Sequence, residues 1–233
     1  MGWRRRPASI VFACLGWLGF AGLAGTAWAD QADHFPPANQ PWSARNYVDF
    51  YFAHVNGNRA LPHLRTESTA RIFDRIVDQE NISQILSSPS TAEEKRRNVA
   101  IILATMGEIR GAYNYAVFVG EPLQEELARV QAFTLFVMDN AVGLESPRPD
   151  CSSACRTALH GVVEALSPHG IFSREQILSL AEALERHYPS IAPVLSSDER
   201  KDLRAQISRI AAAERDPILR QAHQRLLGTI DRY

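Results

Sequence analysis

The sequence predicts an all-α fold: a single-domain helical bundle of about seven helices around a central apolar hairpin, formed by about 91–119 and 121–142. Three observations carry that reading. Apolar residues recur at steps of three and four along most of the chain after position 43, and no segment alternates with period two. Capping boxes, a hydroxyl residue followed three positions later by Glu or Gln, stand at Ser90–Glu93 and Ser173–Gln176. The composition, 45% hydrophobic and 22% charged, supports a packed core and excludes a disordered chain.

The first 29 residues read as a cleaved secretory signal peptide. Arg4, Arg5 and Arg6 precede a charge-free stretch from Pro7 to Ala29, and Ala27-Trp28-Ala29 is a small-x-small cleavage site before Asp30. A permanent anchor needs ~20 predominantly apolar residues, and glycines dilute a shorter core here. Cleavage removes three of the 25 basic residues and none of the 26 acidic ones, so the remaining chain is mildly acidic. It also removes Cys14 and every tryptophan except Trp42. The expected location is outside the cytoplasm, periplasmic or secreted, with a bacterial periplasm fitting best. No later segment is long and apolar enough for a stable membrane anchor.

Residues 30–42 form a Pro-rich lead expected to run extended over the surface. The helical domain then spans 43–233. Ser43 caps a helix over Ala44–Val55, stopped at Asn56-Gly57-Asn58. A second helix is expected from Glu67 to Leu86, broken by Ser87-Ser88-Pro89. The hairpin follows, turning at Gly120, with Pro122 in the first turn of its second helix and Gly143 at its end. Its second helix is apolar over most of its circumference, which places Leu127–Ala141 at the centre of the domain. Gly107 and Gly111 permit close approach of another helix. Asp150 caps a helix from Cys151 to Leu166, and Ser173 opens one that Pro189 terminates. Ser197 opens the last long segment, kinked or restarted at Asp216-Pro217.

The candidate binding residues are Glu108, Arg110, Tyr113 and Asn114. Glu108 interrupts an apolar helix, and Arg110 and Asn114 share a face at i and i+4. The competing account is a set of satisfied polar groups within a helical core. Asp139 and Asn140, on the antiparallel neighbour, are expected beside Ala100–Leu103 rather than beside Arg110. Cys151 and Cys155 lie four apart, roughly 6 Å between Cα atoms in a helical turn, so a disulfide is expected in an oxidising compartment. With three intervening residues the pair is not a redox motif, and His160 would complete only three metal ligands, so no metal site is expected. There is no nucleophile elbow, phosphate-binding glycine loop or dinucleotide fingerprint, and no cofactor is expected. Mixed charges without a basic stripe argue against nucleic acid.

These features support an exported helical protein that binds a protein partner, as an inhibitor, an immunity-type protector or an assembly accessory. That reading requires an exposed apolar or aromatic patch. The alternative is a periplasmic hydrolase using carboxylates or histidines, which requires a cleft holding two acids or an acid and a histidine. A small-ligand carrier, with Tyr47, Phe50, Tyr51, Phe52, Tyr113 and Tyr115 around a pocket, is the weaker third.

Overall fold

Hydroxyl and acidic side chains set most of the helix starts, as the sequence requires, while the end of the second helix is set by side chains from outside it. The computed structural model describes Pro36 and residues 40–57, 59–144, 153–167 and 170–233. Among these residues there are nine α-helices and no strand: α1 (Ala44–Phe50), α2 (Glu67–Ile76), α3 (Glu80–Ser87), α4 (Ala92–Phe118), α5 (Gln124–Leu144), α6 (Ser153–Ala165), α7 (Arg174–Ile191), α8 (Ser197–Ala213) and α9 (Pro217–Ile230). All lie in one unit, Phe35–Tyr233.

The second helix of the hairpin, α5, forms the middle of the domain. α5 packs against α4 on one side and α7 on the other; α7 continues onto α9, and α9 onto α8. α1 lies on α4, and α6 contacts both helices of the hairpin. Ile102, Met106, Ile109 and Tyr113 of α4 and Leu127, Val130, Leu135, Val137 and Met138 of α5 are fully buried, in line with their spacing. Gly120 closes α4 at φ 98°, a backbone region that favours glycine. The Gly120 N–H donates to Val117 O at 3.0 Å and the Glu121 N–H to Ala116 O at 2.9 Å, the bond pair of a Schellman end.

The structure corrects several expected boundaries. The helix expected over 67–86 is two. Tyr47 Oη donates to Ile76 O at 2.9 Å and Asn81 Nδ2 to Arg75 O at 2.7 Å, taking carbonyls that end α2, while Asp78 Oδ1 accepts the Glu80 N–H at 3.0 Å. The segment expected as helix to Val55 is α-helical only to Phe50 and continues as a π-helical turn over Tyr51–Asn56. Pro189 does not stop α7. It forfeits one bond in the last turn, and burial of Tyr188, Ile191 and Ala192 carries the backbone into a 3₁₀ turn at Ala192–Val194. The box that starts α4 is Thr91 with Glu94, and the cap of α8 is Ser196. α5 begins at Gln124, after Pro122 rather than around it.

The Pro-rich lead is more than a surface strap at its end. Trp42 is 1% exposed and belongs to the core. Its backbone N–H donates to Asn81 Oδ1 at 2.6 Å, and its ring meets Tyr47 edge-on at 5.4 Å. Arg75 donates to the carbonyls of Pro36 and Gln40. The expected Cys151–Cys155 pair, the Asp150 cap and most of the 144–150 loop lie outside the described residues or side chains.

Candidate functional site

α4 carries all four candidate binding residues, and a helix of 27 residues turns them to different neighbours. Glu108 is half-buried toward the π-helical turn. Burial raises the Tyr51 hydroxyl pKa and the nearby Glu108 charge raises it further. Arg110 points toward α6. Its guanidinium covers Gly161 closely enough that a Cβ there would collide with it. Burial lowers the Arg110 pKa, while the Glu164 charge opposes that shift, and its Nε has no hydrogen-bond partner among the described residues. Tyr113 is buried, donates to Pro62 O at 2.7 Å and meets Phe73 edge-on at 5.8 Å; desolvation raises its pKa. Asn114 is exposed. Arg110 and Tyr113 therefore serve different interfaces among the described residues.

Tyr113 has a companion that the sequence hides. Glu126, 3% exposed, accepts the Leu64 N–H at 2.7 Å. In sequence it reads as an ordinary first-turn acid; in space, α4 and α5 together grip the 59–66 loop.

A second polar pair links α5 to α7. The Nδ1–H of His187 donates to Asp139 Oδ2 at 2.8 Å, and the Phe136 ring stands edge-on to the imidazole at 6.0 Å. His187 lies on the wall of an open cleft of about 250 Å³ with Gln79, Arg129, Ser179, Glu182 and Arg186. Asp139 was a legible oddity at the end of an apolar run, but His187, 48 residues away, carried no signal pointing to it. Ala141 lines a second open depression, of about 300 Å³, with Glu93, Arg96, Arg97 and Ala100, so the end of α5 lies beside the start of α4. No group of three His, Cys, Asp or Glu residues suited to a metal occurs among the described residues, and no described helix is long and apolar enough to cross a membrane.

The most unusual surface is the open face of α4. Its exposed positions between Arg97 and the helix end at Phe118 are Ala100, Ala104, Gly111, Asn114, Tyr115 and Phe118, while the charged Glu108 and Arg110 are half-buried. None of the exposed positions carries a charge. Phe118 is 84% exposed, Tyr115 68% and Val119 54%. A Cβ added at Gly107 or Gly111 would meet nothing within 4 Å, so the close approach these glycines permit is not used by any described part of the chain. Each glycine costs the helix up to ~1 kcal/mol against Ala. Exposed helix faces ordinarily carry charged residues, and uncharged aromatic-bearing patches of this kind mark interaction sites.

Comparison with protein-family models, curated proteins and solved structures gives no match, so the function is read from the chain's own residues.

Proposed function

We propose that this chain is exported and acts by binding another protein, as an inhibitor, an immunity-type protector or an assembly accessory. The observation that carries the reading is the uncharged face of α4, where Tyr115, Phe118 and Val119 stand in solvent. Exposed aromatic residues on an uncharged patch with charged residues beyond its ends are the composition of a protein interface. The basic start, apolar stretch and Ala27-Trp28-Ala29 site support export. The test is a photo-cross-linking residue placed at Phe118 in the exporting cell, with Tyr233 as control because it is also exposed. A saturable protein adduct from position 118 and none from 233 is expected. Equal labelling from both, or none from 118, overturns the reading.

A second reading is favoured by Asp139 and His187. A carboxylate holding Nδ1 leaves Nε2 as a base, an arrangement that hydrolases use. His187 is only 7% exposed, and the cleft falls short of the roughly 300–1,000 Å³ usual for ligand sites, which ranks this reading second. Under it, the protein releases fragments from peptidoglycan and His187→Gln does not. Release that survives His187→Gln, or no release by the unaltered protein, removes it.

A further inference from the structure

We propose that the open face of α4 is a self-association surface. On it a second copy of this chain lays its own α4, antiparallel, about a twofold axis between Gly107 and Gly111. This rests on the partner-binding reading and names the partner.

The spacing comes first. Ala100, Ala104, Gly107, Gly111, Asn114 and Phe118 follow one another in alternating steps of four and three, which is the seam of a two-helix pair. Alanine and glycine dominate that seam, so the axes can approach to about 8 Å, the short end of the usual range. Nothing in the described monomer occupies the space above Gly107 and Gly111.

Size then selects the register. With Gly107 opposite Gly111 of the second copy, Asn114 faces Ala104 and Phe118 faces Ala100, at both ends of the seam. The one large side chain of the stripe, 84% exposed in the monomer, meets a small residue each time. A parallel pairing would set Phe118 against Phe118 and leave a gap along the alanines.

Charge selects the same arrangement. Arg97 and Glu121 are exposed just beyond the two ends of the uncharged stretch. Among the described residues Arg97 makes a long, exposed contact to Glu93, at 3.4 Å, and lies near Glu94. Glu121 follows the Schellman end of α4, so the antiparallel pairing sets the Arg97 end of each copy beside the Glu121 end of the other, while the parallel one sets like ends together. A twofold interface must be complementary to itself, and this face is so in size and in sign.

Sedimentation equilibrium of the full chain tests the proposal, with circular dichroism to verify folding. A concentration-dependent dimer is expected. Gly111→Gln puts a long side chain on the axis at a position open in the monomer; it should keep the helical spectrum and lose the dimer. Arg97→Glu and Glu121→Arg should each weaken dimerisation roughly tenfold, because each pair occurs twice. The double swap, Arg97→Glu with Glu121→Arg, should restore it. Failure of the swap to restore association overturns the antiparallel register, and a dimer that tolerates Gly111→Gln overturns the surface. A monomeric chain that still cross-links a different protein at Phe118 overturns self-association while the partner-binding reading stands. A monomer with no adduct overturns both.

Discussion

His223 shows what a single residue does inside this bundle. It is fully buried on α9, and neither ring nitrogen has a hydrogen-bond partner among the described residues. Burial pushes its pKa below the ordinary 6.5, and the Glu214 charge only partly opposes this. The sign follows from linkage. Below about pH 6.5 the unfolded chain takes up a proton that the folded chain refuses, so stability is full above that pH and declines as pH falls through it. His54, also lowered by burial, adds to the same decline. His223→Leu should flatten the dependence of the urea midpoint on pH between about 7.5 and 5.5, leaving the His54 share. Parallel curves for the two proteins would refute this account. Sequence gave no warning of it: a histidine among apolar neighbours on an amphipathic helix has the same spacing whether it faces solvent or the core, and only the packing of α9 on α7 decides.

Among the helices, α4 gives the sharpest contrast, because the glycine that closes it and the glycines in its middle do different things. Gly120 holds φ 98° at the Schellman end, so Gly120→Ala should destabilise by about 1 kcal/mol. Gly107 is mid-helix with open space above it, so Gly107→Ala should stabilise the isolated fold by up to ~1 kcal/mol. Denaturant midpoints measured at a concentration below association decide both, and two changes of the same sign would contradict the assignment. The same helix measures how much was legible. Its length, its stop and its buried stripe followed from a period of three and four and from Gly120. That its candidate residues part company was half legible, since positions two and six apart fall on different faces of a helix. Which neighbour each meets was not: Arg110 over Gly161 and Tyr113 on Pro62 join positions about fifty apart, and local pattern carries no such distances. The break between α2 and α3 escaped for the same reason, since Tyr47 and Asn81 end α2 from outside it.

For the whole molecule, the order α4, α5, α7, α9 and α8 leaves α4 near one end of a packed series, with α1 on one flank and α6 on another. That position explains why a long apolar helix still has an uncovered face, and why any partner meets it along its length. The far end is closed differently, by Arg204 on α8 bonded to Asp231 beyond α9 at 2.5 Å. The N-terminal connection is held by Trp42, wedged beside Tyr47 and Phe50 under the Arg75 guanidinium. This wedge makes the protein its own optical probe. In a chain cleaved after Ala29, Trp42 is the single tryptophan, so its emission reports only whether the N-terminal anchor is seated. In the folded, cleaved protein the emission should be blue-shifted and poorly quenched by iodide. Asn81→Ala, which takes away the acceptor of the Trp42 backbone N–H, should loosen the anchor and shift the emission to the red before helicity is lost. Red emission in the unaltered protein would place the indole in water. A seated indole would let one fluorescence trace follow the release of the segment that precedes α1, separately from the unfolding of the bundle.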